Sequence, residues 1–67
     1  MREPTSRELL DAALARDWFE LSASSGLSAP RLTQMALRAI DDPKVAVAFP
    51  IECGQLRRRR DAARARR

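Results

Sequence analysis

Apolar residues recur at helical spacing as far as Ile40, then alternate with their neighbours from Lys44 to Glu52. Leu9, Leu10, Ala13 and Leu14 fall on one helical face, with Arg7, Asp11 and Arg16 elsewhere. Thr5-Ser6-Arg7-Glu8 has the spacing of a capping box, in which Thr5 and Glu8 satisfy each other's backbone N–H, so a first helix is predicted from about Ser6 to Arg16. Asp17-Trp18-Phe19-Glu20 repeats that spacing and predicts a second helix from Trp18, closed by Gly26 at the left-handed position that ends helices. The competing pattern is one unbroken helix from Ser6 to Ser25, with Leu10, Leu14, Trp18 and Leu21 in one stripe. Trp18 and Phe19, flanked by Asp17 and Glu20, are expected to be core anchors; a base-stacking platform would want basic neighbours.

Ser28 is a good N-cap, and Pro30 suits a first turn, where its missing N–H costs nothing. Leu32, Met35, Ala36 and Ala39 then share a face. This third helix should end near Ile40, because Asp42 precedes Pro43 and is pushed out of the α region. Beyond it, Val45, Val47 and Phe49 alternate with Ala46, Ala48 and Pro50, which predicts an extended segment from Lys44 to Glu52. Pro50 cannot donate to a ladder and makes that segment an edge strand or an arm. Gly54 is expected to break the chain again. From Gln55 to Arg67 good helix formers are crowded by adjacent arginines, a segment expected to be disordered alone and helical when bound. The predicted organisation is a mainly α domain over residues 1–54, with three helices and an extended arm, followed by an arginine-rich tail over 55–67.

Charge sharpens this division. Residues 55–67 carry seven arginines against one aspartate, a net +6, whereas residues 1–54 carry six cations against eight acids, a net −2. A slightly acidic body with a basic end suits an anionic partner, although the preference for arginine over lysine also fits GC-rich coding, and the tail also fits a role in solubility alone. A 67-residue chain is marginal as a domain, and its one cysteine, Cys53, cannot form an internal disulfide. Without histidine there is no plausible metal site, so oligomerisation, by default a homodimer, is the expected staple.

The same inventory argues against an enzyme and against any cofactor. There is no histidine to serve as a base, no glycine-rich phosphate loop, and nothing to activate Cys53, which reads as a buried or incidental thiol. The longest apolar run, Val45 to Ile51, is far short of the roughly 20 residues a spanning helix needs, and no secretory leader precedes the first helix, so a cytoplasmic protein is expected.

The stretch from Trp18 to Leu37 resembles the helix-turn-helix family of DNA-binding proteins. Ser22 is the small residue four before the turn glycine, Gly26 is that glycine, and Leu21, Leu27, Leu32 and Met35 occupy the apolar positions. Ser25, just before the glycine, departs from the family's apolar preference. The match covers about 20 residues by class of residue, and a helical hairpin with no DNA role has the same pattern. In size and order of features the chain also resembles phage Cro-like repressors. The resemblance implies a transcriptional regulator of phage or mobile-element type, a homodimer on double-stranded DNA with the second helix of the motif in the major groove. Arg31, Gln34 and Arg38 form the stripe opposite the core, where arginine can read guanine and glutamine adenine, with Ser28 and Thr33 in reach of phosphate or base edges. The bland alternative is a solvated face. Arg57, Arg58, Arg59, Arg60, Arg64, Arg66 and Arg67 would hold phosphates. Leu37 points to the outer side of its helix and, with Val45, Val47, Phe49 and Ile51 pairing across an interface, would face the second subunit. Two other classes remain open: a protein-interaction or inhibitor module built on a helical hairpin, and an arginine-rich RNA-binding accessory protein.

Overall fold

Residues 2–65 are described by the computed structural model. The first helix, α1 (Ser6–Ala15), opens with the capping box: the Thr5 hydroxyl accepts from the Glu8 amide at 3.2 Å, and the Glu8 carboxylate accepts from the Thr5 amide at 3.0 Å. Arg2 clamps the same carboxylate from outside, 2.6 Å from Nη1 to Oε1. The helix stops because Arg16 turns left-handed, with φ 56°. The Arg16 amide then reaches the Ala13 carbonyl and the Asp17 amide the Ala12 carbonyl, at 3.3 and 3.1 Å, so the last turn's carbonyls find donors without glycine.

That stop decides between the two readings of the first 25 residues in favour of a break. Asp17 Oδ1 accepts from the Phe19 amide at 3.1 Å, and α2 (Phe19–Ser25) follows. Of the two aromatics, Trp18 is half-buried against the core, but Phe19 is 80% exposed and is no anchor. At the first position of a short helix whose buried residues are Leu21 and Ser25, it lies on the solvent side.

Gly26, at φ 75°, ends α2 and allows the reversal into α3 (Ala29–Ile40). Two serines fix the turn. Ser22 donates to the Leu27 carbonyl at 2.6 Å. Ser25, the residue that departs from the apolar preference, is buried with its hydroxyl satisfied twice, donating to the Leu21 carbonyl at 2.7 Å and accepting from the Leu27 amide at 3.2 Å. Ser28 caps α3, and Leu32, Ala36 and Ile40 form its buried stripe.

The extended segment expected from Lys44 to Glu52 is helical instead: α4 (Pro43–Ala48) and α5 (Pro50–Ala65). Asp42-Pro43 does not only stop α3. Asp42 Oδ1 accepts from the Lys44 amide at 2.9 Å and Pro43 takes the first turn, so the same pair starts the next helix. Alternation misled because residues four apart satisfy both periods. Val45 and Phe49 pack into one core cluster, while Val47, which a strand would put beside them, is 82% exposed. Burying a valine and part of a phenylalanine outweighs the few tenths of a kcal/mol that β-branched residues cost a helix. Phe49 leaves the helical region because Pro50 follows it, and Pro50 then begins α5. Gly54, expected to break the chain, lies inside α5 and is half-buried. The residues after it are helical as far as Ala65, so the boundary drawn at residue 54 coincides with no structural break.

The described residues are therefore mainly helical, with no strand among them, and no described helix is long and apolar enough to cross a membrane. Adjacent leucines of α1 serve two cores. Leu10 joins Ile40, Val45, Cys53 and Leu56, and Leu9 joins Leu21, Leu32 and Ala36. The radius of gyration is 11.8 Å, near the roughly 11 Å of a packed chain of this length.

Candidate nucleic-acid interface

Burial of Leu32, Ala36 and Ile40 leaves the opposite side of α3 to solvent. Arg31, Gln34 and Arg38 are all exposed there, Thr33 is exposed on the flank beside Leu37, and Ser28 is exposed at the start of the helix. Arg31 and Gln34 are three residues apart and Arg38 four further, one helical stripe. Two of the predicted contacts have local bonds. The Thr33 hydroxyl donates to the Ala29 carbonyl at 2.8 Å, and Ser28 Oγ accepts from the Arg31 amide at 3.4 Å, leaving the Ser28 proton for an outside acceptor.

The arginine run has a second role that reading the tail as a phosphate arm missed. Arg57 Nη2 donates to the Ile40 carbonyl at 2.7 Å, at the end of α3. Arg59 donates from Nη1 to the Ala13 carbonyl at 3.0 Å and from Nη2 to the Leu14 carbonyl at 3.2 Å, at the end of α1. Arg60 Nη1 pairs with Asp41, the C-cap of α3, at 3.1 Å, which raises the guanidinium above its ordinary value. Three cations of one helix, Arg57, Arg59 and Arg60, thus sit on the negative ends of two others, where positive charge is favoured. Arg60 Nε is buried without a hydrogen-bond partner among the described residues, although Asp61 Oδ1 lies 3.6 Å away. Arg58 and Arg64 are exposed and make no hydrogen bond to another described residue. Arg66 and Arg67 lie outside the described residues.

The five residues expected at a subunit interface separate. Val45 is buried and Phe49 half-buried in the chain's own core, so neither is available to pair across a strand. Val47 and Ile51 are exposed on either side of the α4–α5 elbow, and Leu37 is 40% exposed on α3. Cys53 is buried, and burial pushes its thiol above the ordinary value, which disfavours the reactive thiolate.

Beside the outer face of α3 runs a groove of about 560 Å³ between α1, α3 and α5. Leu37 and Thr33 border it from α3, and Arg59, Arg60 and Arg64 from α5. Sequence reasoning missed it, because its walls come together only once α5 packs back on α1. No family model matches the chain, and no curated protein and no solved structure matches it.

Proposed function

We propose that the chain is a small DNA-binding regulator that places α3 in the major groove, as repressors of the helix-turn-helix type do, without catalysis and without a cofactor. One observation carries the reading: Arg31, Gln34 and Arg38 line the exposed side of a helix whose other side is buried, and α3 is preceded by a glycine turn pinned by Ser22 and Ser25. Arg31 sits in the first turn of α3, the part of a recognition helix that meets base edges. Arginine and glutamine are the side chains that read guanine and adenine bidentately.

The division of labour in α5 changes the expected strength of the phosphate contacts. Arg57, Arg59 and Arg60 already hold carbonyls and Asp41. Among the described residues, Arg58 and Arg64, with whichever arginines of α3 reach the backbone, are left for phosphate. About four such contacts give a log–log salt slope near −3.6, or about a hundredfold loss of affinity between 50 and 200 mM salt. RNA duplexes, whose deep major groove side chains cannot read, are the poorer fit to a helix-borne stripe.

Selection of bound sequences from a random duplex pool tests this. The expected result is a defined site, with Arg31→Ala and Gln34→Ala each relaxing one position by about 1–3 kcal/mol while the fold persists. Unchanged base preference in both folded variants refutes the groove-reading assignment.

A further inference from the structure

The groove between α1, α3 and α5 has a composition that phosphate binding does not use. Ala36, Ile40 and Leu56, all buried, underlie it, and Trp18, Leu37 and Ala63 add apolar surface that is only partly covered. Four arginines, Arg16, Arg59, Arg60 and Arg64, also line it, and no carboxylate does. Two of the four are committed, Arg59 to the carbonyls ending α1 and Arg60 to Asp41, whereas Arg16 and Arg64 make no side-chain hydrogen bond to another described residue. Arg16 is also the one described residue other than glycine with a positive φ, 56°. Glycine would hold that backbone at less cost, and the arginine that stands there adds a cation to the groove's lining.

We propose that this groove docks an acidic amphipathic helix of a partner protein, its apolar stripe against Trp18, Leu37 and Ala63 and its carboxylates on Arg16 and Arg64. Charge complementarity selects the occupant. A phosphate backbone satisfies the arginines but leaves the apolar floor wet, and an apolar helix without acids leaves two cations at the rim unpaired. The volume falls within the roughly 300–1,000 Å³ of binding clefts, and an apolar floor between helices is the setting in which an amphipathic helix lies in a groove. The inference shares Arg64 with the phosphate contacts proposed above but uses neither Arg31 nor Gln34, so base preference and peptide binding fail separately.

The test uses the full chain and a fluorescein-labelled helical peptide with leucines on one face and glutamates on the others. Controls are a scrambled peptide of the same composition and a random DNA duplex. Trp18 is the only tryptophan and lines the groove, so its emission reports occupancy independently of the label. The peptide is expected to bind with a change in Trp18 emission, and Leu37→Asp and Arg64→Glu are each expected to weaken it about tenfold. Arg58→Glu, an equal charge change on α5 outside the groove, is expected to weaken it less than about threefold. Melting curves confirm that each variant folds. Equal binding of the scrambled peptide, or equal loss in Arg58→Glu and Arg64→Glu, overturns the proposal in favour of undirected charge attraction. No binding up to about 1 mM peptide overturns it outright. A Trp18 response to the duplex and not to the peptide overturns it in favour of nucleic acid in the groove.

Discussion

Replacing Arg59 by methionine separates the two roles open to the arginine run. Methionine matches arginine in helix propensity and keeps an unbranched stem, so the change removes the guanidinium and little else. Arg59 donates to the carbonyls of Ala13 and Leu14 at 3.0 and 3.2 Å, and the last turn of α1 contains no basic residue of its own. Hydrogen bonds from a charged donor contribute about 1.5–3 kcal/mol when shielded, and a cation at a helix C-terminus adds about 0.3–1 kcal/mol. Because Arg59 is exposed, the low end applies, and the pair of bonds together with the dipole is worth about 1–2 kcal/mol. Relief of repulsion does not cancel this, since Gln55, Leu56, Ala62 and Ala63, the residues three and four away along α5, are uncharged.

The matched control is Arg58→Met, one position along the same helix. Arg58 makes no hydrogen bond to another described residue, and its only charged neighbour at helical spacing is Asp61, worth at most about 0.5 kcal/mol. For a domain of this size 1 kcal/mol moves Tm by about 4–8 °C, so Arg59→Met should melt about 4–16 °C below the parent chain and Arg58→Met within about 4 °C of it. Circular dichroism at 222 nm follows the helix signal directly. The gap should persist at about 1 M salt, where solution charges are screened beyond roughly 3 Å and bonds in direct contact are not. Indistinguishable melting of the two variants refutes the assignment of Arg59 to the end of α1 and restores the reading of the run as a solvated tail.

Three further outcomes follow from the same structure. Gly54→Ala should raise stability by about 0.5–1 kcal/mol in chemical denaturation, because Gly54 is helical and an added Cβ meets only the flexible Arg58 guanidinium, at 3.9 Å. Val45→Thr should cost about 1–3 kcal/mol while Val47→Thr stays within about 0.5 kcal/mol, since one hydroxyl enters the core and the other enters solvent; equal effects would favour a strand with both on one face. Glu8→Gln should lower Tm near neutral pH, with the difference closing as pH falls from the ordinary carboxylate value of 4.5 towards about 2: the hydrogen bond from Arg2, reinforced by the Thr5 backbone, depresses the folded-state pKa of Glu8 to about 2, so its stabilisation is complete above 4.5 and lost on protonation. A difference constant down to pH 2 would exclude that linkage.

What the sequence reveals here is local. The capping box at Thr5, the glycine at Gly26 and the cap at Ser28 each depend on residues within a few positions and are read correctly from the chain alone; of the α3 stripe Leu32 and Ala36 are buried as read, Met35 and Ala39 only partly, and Ile40 joins them. The errors arise where one local pattern has two meanings. Asp42-Pro43 stops one helix and starts another, and Val45 with Phe49 fits periods of both two and four. The arginines fail for a different reason: Arg59 bonds a carbonyl 46 residues away, and no windowed pattern contains both ends of that bond. Phe19 and Trp18 are adjacent aromatics with the same charged flanks, and nothing in the local pattern tells that Trp18 packs while Phe19 faces solvent.

The coupling of α5 to the other helices changes how charge and fold must be tested together. Leu56 is in the core, Arg57 and Arg60 hold the end of α3 through Ile40 and Asp41, and Arg59 holds the end of α1. Cutting the chain before Leu56 would therefore release the C-terminus of the helix proposed to read bases, not merely subtract positive charge. Loss of DNA binding in such a truncation is expected whether or not any of those arginines meets a phosphate. Among the described arginines of α5, only Arg58 and Arg64 can be neutralised without taking a bond from a helix end, so a fall in affinity and in salt slope in that pair, with Tm unchanged, is what isolates the electrostatic contribution. A basic end that looks like an appendage in the sequence is, in its first turns, the piece that holds the candidate reading helix in place.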